Sequence, residues 1–104
     1  MPWTDDYTFR APMQDVRGEL TLDRLVAELV RELGPGHSMF GRTWTAVARA
    51  LPEDEVLFTD GEAVALVHLS WAARRSPPPC PEATFMPDAS ALEQYVETRW
   101  LPYD

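Results

Sequence analysis

Apolar side chains recur at the spacing of an α-helix over residues 21–33. They fall three and four residues apart, on one helix face: Leu22, Leu25, Val26, Leu29, Val30 and Leu33. Thr21 is a candidate N-cap, and Gly34 followed by Pro35 ends the pattern. Most of the charged side chains fall on the opposite face: Arg24, Glu28, Arg31 and Glu32. The pattern predicts a helix with its apolar face buried and its charged face in water.

An Asp-Gly pair at residues 60–61 separates two apolar runs, residues 55–59 and residues 62–71. Such a pair is typical of a β-hairpin with a two-residue turn, because a type I′ turn needs positive φ at both central residues. The turn predicts that Thr59 pairs with Glu62, and that Val56 pairs with Ala65 further along. This pairing fixes which side chains share a face of the sheet.

The two faces of the predicted hairpin differ in composition. One is wholly apolar and is predicted to face the core: Val56, Phe58, Ala63, Ala65, Val67, Leu69 and Trp71. The other mixes polar and apolar side chains: Glu55, Leu57, Thr59, Glu62, Val64, Leu66, His68 and Ser70. A sheet with one solvated face has this pattern, and so has a sheet whose second face forms a shallow groove or a subunit contact.

Weaker patterns complete the element order. Residues 42–51 fit both strand and helix, and their threonines and tryptophan favour a strand. Residues 72–81 contain three consecutive prolines and predict a stiff linker, and residues 83–86 predict a short strand. Residues 90–101 predict a helix that begins with a capping box, with Ser90 as the N-cap and Glu93 three residues later. Residues 1–19 show no period but carry large apolar groups, so we expect an arm that packs across the domain. An exchanged arm or a partner-binding segment is the alternative.

These elements predict the α+β class and a single domain over residues 1–104, with residues 1–19 as an irregular N-terminal arm. We expect a three- to four-stranded antiparallel meander. The N-terminal and C-terminal helices are expected to pack together on one face, the apolar face of the sheet.

Composition narrows the class of protein. The 104 residues carry a formal net charge of −8, which disfavours general binding to nucleic acids or anionic membranes. The lone cysteine, Cys80, forms no internal disulfide. Lys, Ile and Asn are absent and all nine basic residues are Arg, which indicates a GC-rich, bacterial genome. With no signal-peptide pattern in residues 1–10 and no membrane-length apolar run, we expect a cytoplasmic protein.

No catalytic, cofactor-binding or metal-binding motif occurs in the sequence, so we expect neither a cofactor nor a metal. His68 is the candidate for acid–base chemistry, because the hairpin brings Glu53 or Glu55 near it and a carboxylate raises the pKa of an imidazole. The ordinary alternative is a histidine bonded to neighbouring backbone or hydroxyl groups, since a lone histidine without a nucleophile or a second base is rarely catalytic.

Trp71 with Arg74 and Arg75 forms a second candidate binding group. An aromatic ring beside two guanidinium groups suits an acidic partner or a nucleic-acid base. Two arginines make a weak patch on an acidic chain, however, and the ordinary alternative is a core tryptophan followed by a solvated loop.

Several short stretches resemble an uncharacterised family of short bacterial proteins. The resemblance covers about residues 34–100, and its residues are Gly36, His37, Gly41, residues 56–58, Asp60, Gly61, residues 67–71, residues 77–79 and Pro81. It implies a bacterial cytosolic protein and no catalytic residue. The acidic charge, the candidate aromatic anchors Trp3, Tyr7 and Trp44 and the lack of a catalytic constellation lead us to expect a non-enzymatic protein-interaction module. It would bind another protein, or itself as a homodimer, through the mixed sheet face, the aromatic arm or both. The alternative is a small enzyme or ligand-binding protein that uses His68 with Glu53 or Glu55.

Overall fold

The computed structural model describes residues 2–9, 13–50, 55–69 and 83–99, the side chain of Arg99 excepted. After a 3-10 helix at Trp3–Asp6, the described elements are β1 (Met13–Asp15), α1 (Thr21–Glu32), β2 (Thr45–Ala50), β3 (Glu55–Thr59), β4 (Val64–His68), β5 (Ala83–Phe85) and α2 (Ala89–Arg99). The five strands form one sheet in the order β1-β2-β3-β4-β5, and every neighbouring pair is antiparallel. The predicted α+β class with an antiparallel sheet is confirmed. The sheet has one strand more than predicted, because residues 13–15 of the expected irregular arm form β1.

The hairpin of β3 and β4 has a longer loop than the sequence predicts. Thr59 pairs with Val64, so the loop contains residues 60–63 and the predicted partner Glu62 is wrong. The Asp60 Oδ1 atom accepts hydrogen bonds from the backbone N–H groups of Glu62 (3.0 Å) and Ala63 (2.8 Å). The Thr59 hydroxyl donates to the Ala63 carbonyl (2.8 Å) and accepts from the Gly61 N–H (3.1 Å). These local bonds stabilise the wider turn, in which Gly61 has a φ of 101°.

The change of register leaves the predicted faces of the hairpin intact. The true pairing is displaced by two residues along β4, and side chains alternate with a period of two, so each side chain stays on its predicted face. The core cluster that includes Leu25 and Leu29 of α1 contains five residues of the predicted core face: Val56, Phe58, Ala65, Val67 and Leu69. That part of the prediction is confirmed, and Trp71 lies outside the described residues.

The two helices lie against opposite faces of the sheet, which corrects the prediction that they share one face. α1 packs on the apolar face, whereas Leu92 of α2 belongs to a second core cluster with Leu57, Val64 and Leu66 of the mixed face. The mixed face has a continuous apolar centre, and burying it against a helix removes that area from water. Its described polar members, Glu55, Thr59, Glu62 and His68, lie in the turn or at the ends of the strands.

α1 is rotated about its own axis relative to the position that its apolar stripe predicts. Glu28 and Glu32 are buried, Glu32 completely (0% exposed), whereas Val30 is 65% exposed. The buried residues of the helix are Leu25, Glu28, Leu29 and Glu32. At 3.6 residues per turn, the centre of this buried face lies roughly 80° around the helix axis from the centre of the apolar stripe. The prediction that the two carboxylates face water is therefore wrong. Both carboxylates take part in polar interactions, because a buried charge without a partner is unfavourable. The Glu28 Oε1 atom lies 3.7 Å from Arg31 Nη1.

β2 contains a β-bulge at Val47. Ala46 pairs with Phe58 and Ala48 pairs with Leu57, so two steps along β2 match one step along β3. The bulge reverses the alternation: Ala46 lies in the cluster with α1, while Ala48 lies in the cluster with α2. This reversal interrupts the strict alternation of a strand, which is why the sequence of residues 42–51 is compatible with both a strand and a helix.

α2 begins one residue earlier than predicted and has a different cap. The Asp88 Oδ1 atom accepts a hydrogen bond from the Ala91 N–H (2.9 Å), so Asp88 occupies the N-cap position that the sequence assigned to Ser90. Neither helix in the described ranges has the length and apolar character required to traverse a lipid bilayer.

Candidate functional site

The structure describes two of the five predicted binding residues. Glu55 and His68 are directly opposite each other, at the end of the β3–β4 pair far from the turn. Trp71, Arg74 and Arg75, and also the alternative partner Glu53, lie outside the described residues.

Glu55 and His68 differ in their surroundings although they share a face of the sheet. Glu55 is 4% exposed, and its Oε2 atom accepts a hydrogen bond from the Tyr95 hydroxyl on α2 (2.8 Å). His68 is exposed, and within the described part of the chain no hydrogen bond joins its imidazole to Glu55. The carboxylate therefore anchors α2 to the sheet. Sequence reasoning missed Tyr95 as its partner, because only the true position of α2 brings the two together.

The N-terminal arm lies across the same face of the sheet as α2. Its three aromatic rings pack edge to face, with centroids 5.3 Å apart for Trp3 and Tyr7 and 4.9 Å apart for Tyr7 and Phe9. Trp3 Nε1 donates to the Met86 carbonyl beyond β5 (2.8 Å), and the Tyr7 hydroxyl donates to Glu93 Oε2 of α2 (2.9 Å). These contacts agree with an arm that packs across its own domain.

Arg17 holds the arm from the other edge of the sheet. Its Nη1 atom donates to the Thr4 carbonyl (2.7 Å), and its Nη2 atom donates to the Tyr7 carbonyl (3.2 Å). Asp15 orients the guanidinium through hydrogen bonds to Nε and Nη2, and Phe9 lies under it with 5.4 Å between the guanidinium carbon and the ring centroid. The hydrogen bonds from Arg17 lower the pKa of Asp15, so the pair stays charged well below neutral pH.

The arm and α2 together present an acidic outer surface. We call it the acidic arm–helix surface, and its exposed carboxylates are Asp5, Asp6, Asp88, Glu93 and Glu97. Residues 2–9 and 88–98 contain no Lys or Arg. The exposed charges around α1 on the opposite side have mixed signs: Glu19, Asp23, Arg24 and Arg31. Among the described residues, the arm and α2 thus carry exposed charges that are mainly negative, whereas the surroundings of α1 carry both signs.

A cavity of about 570 Å³ lies between the arm and the β3–β4 turn. Pro2 and Asp5 form its arm side, Gly61 and Glu62 form its turn side, and Trp44 and Thr45 lie between them. It is broadly open to solvent.

Trp44 is fixed beside this cavity by the loop that follows α1. Its Nε1 atom donates to the Met39 carbonyl (3.0 Å), and Met39 in turn donates its N–H to His37 Nδ1 (3.0 Å). The Arg42 guanidinium lies over the Trp44 ring at 4.9 Å and forms an ion pair with Asp60 Oδ2. This ring therefore already interacts with one cation of the chain itself.

Both carboxylate oxygens of Asp60 already have partners within the protein. Its carboxylate accepts the Glu62 and Ala63 N–H groups and pairs with Arg42. The backbone hydrogen bond from Glu62 is the main cause that lowers the pKa of Asp60. The Asp-Gly signal located this turn in the sequence, but nothing in the sequence indicated that Arg42 and Trp44 would lie beside it.

Within residues 2–9, 13–50, 55–69 and 83–99, no three His, Cys, Asp or Glu side chains form a group that could hold a metal ion. Comparison with protein-family models, curated proteins and solved structures finds no match. The resemblance to short bacterial proteins therefore stays an expectation.

Proposed function

We propose that this protein is a bacterial, cytoplasmic, non-enzymatic interaction module that binds a basic protein partner through the acidic arm–helix surface. The observation that carries the proposal is the one-sided distribution of charge. Five exposed carboxylates lie on the side of the arm and α2, and Arg17 contributes a positive charge against the arm.

The covered sheet supports an interaction through the outer surface of the protein. Both sheet faces contribute to core clusters, one with α1 and the other with α2 and the arm. A partner therefore meets side chains of the arm and helices rather than an open sheet face. A negative surface of this kind accelerates association with a basic protein and makes the affinity depend on salt.

Two measurements test the proposal. The first is affinity capture of the partner from a lysate of the source organism. The captured protein is then purified, and its affinity for this protein is measured at 50 and 300 mM salt. Light scattering determines whether the partner is a second copy of the chain. We expect a basic partner and an affinity that falls as salt rises. A strict monomer that captures nothing, or a partner of acidic charge, would contradict the proposal.

A matched pair of variants locates the surface. Asp6→Asn with Glu97→Gln removes two charges from the acidic arm–helix surface, and Glu19→Gln with Asp23→Asn removes two charges near α1. We expect the first pair to weaken partner binding about three- to tenfold, because exposed ion pairs contribute modestly. The second pair should weaken it less than twofold. Equal effects would show that only total charge matters.

A small enzyme or ligand-binding protein is the second candidate, and the pairing of Glu55 with His68 favours it. This candidate predicts an activity that His68→Ala abolishes without changing the fold. Fewer observations support this candidate than support the interaction module. The Glu55 carboxylate accepts a hydrogen bond from Tyr95 and lies beneath α2, so it is placed to anchor the helix rather than to meet a substrate. An activity that survives His68→Ala would exclude this role.

A further inference from the structure

We draw no further inference here: the strongest candidate, the N-terminal arm whose Trp3, Tyr7 and Phe9 rings pack against the second core cluster on the α2 side of the sheet, carries nothing because these contacts show only that the arm packs across its own domain and nothing in the structure shows what else would cover that face.

Discussion

Replacement of Arg17 by methionine should detach the N-terminal arm without unfolding the sheet. Arg17 makes the two hydrogen bonds that hold the arm backbone, to the carbonyls of Thr4 and Tyr7. Methionine keeps part of the stem but removes both donors. Hydrogen bonds from a charged donor contribute more than neutral ones, but the Arg17 side chain is 36% exposed and water can partly replace it.

We therefore expect the change to weaken docking of the arm by about 1–2 kcal/mol. That free energy corresponds to an about five- to thirtyfold larger population of the detached arm and to an equal increase in the rate of hydrogen exchange. Hydrogen exchange followed by NMR measures it at the Tyr7 amide, which donates to Thr4, and at the Trp3 indole, which donates to Met86. Amides in β3 and β4 should keep their wild-type exchange rates.

The control is Arg24→Met, which removes the same charge from an exposed position on α1. Exchange in the arm should not respond to it. If Arg17→Met accelerated exchange in the arm no more than Arg24→Met does, the packing of Trp3, Tyr7 and Phe9 alone would hold the arm. The role assigned to Arg17 would then be wrong.

Three further predictions concern stability. Phe58→Ala should reduce the free energy of unfolding, measured in urea, by about 3–5 kcal/mol because Phe58 is fully buried. The control Val30→Ala changes an exposed position and should alter that free energy by less than about 0.5 kcal/mol. Tyr95→Phe should cost about 1–3 kcal/mol, since it removes a donor to the buried Glu55 carboxylate, and an unchanged urea midpoint would contradict that role. The pKa of Asp60 is lower in the folded state than in the unfolded state, where it is about 3.9. The carboxylate therefore stabilises the fold at pH values above about 3.9, and this stabilisation is lost as the pH falls through the folded-state pKa. Asp60→Asn should therefore lower the urea midpoint at pH 7 and approach the wild-type value near pH 3; a difference that grew on acidification would contradict this sign.

The hairpin shows what a sequence pattern specifies and what it leaves out. Alternation of apolar residues assigned Val56, Phe58 and Val67 to the correct face, because that assignment depends only on whether positions are odd or even. The loop length depends instead on which backbone groups the Thr59 and Asp60 side chains bond. The Asp-Gly rule does not include those bonds.

The placement of α2 was unpredictable for a different reason. The mixed face was interpreted as solvated, a groove or a contact surface because Glu55 and His68 belong to it. Glu55 is nevertheless buried, and Tyr95 of α2 donates a hydrogen bond to its Oε2 atom. Burial of a charge depends on a partner distant in the sequence, and no local pattern reveals that partner.

The candidate site was only partly accessible from the sequence. The acidic charge and the aromatic arm were evident, and they lead to the surface proposed for the partner. The cavity was not, because Pro2, Trp44 and Glu62 come from three separate parts of the chain and meet only through the fold. Such convergence follows from the tertiary structure alone.

The bulge at Val47 has a consequence for chain length. Loss of one residue from a regular strand moves every later side chain to the other face of the sheet. At Val47 it would not: without this residue, Ala46 and Ala48 would become direct neighbours on opposite faces, which is where they already lie. A chain of 103 residues shortened at this point would keep each β2 side chain in its own core cluster, whereas a loss within a regular strand would exchange the two clusters.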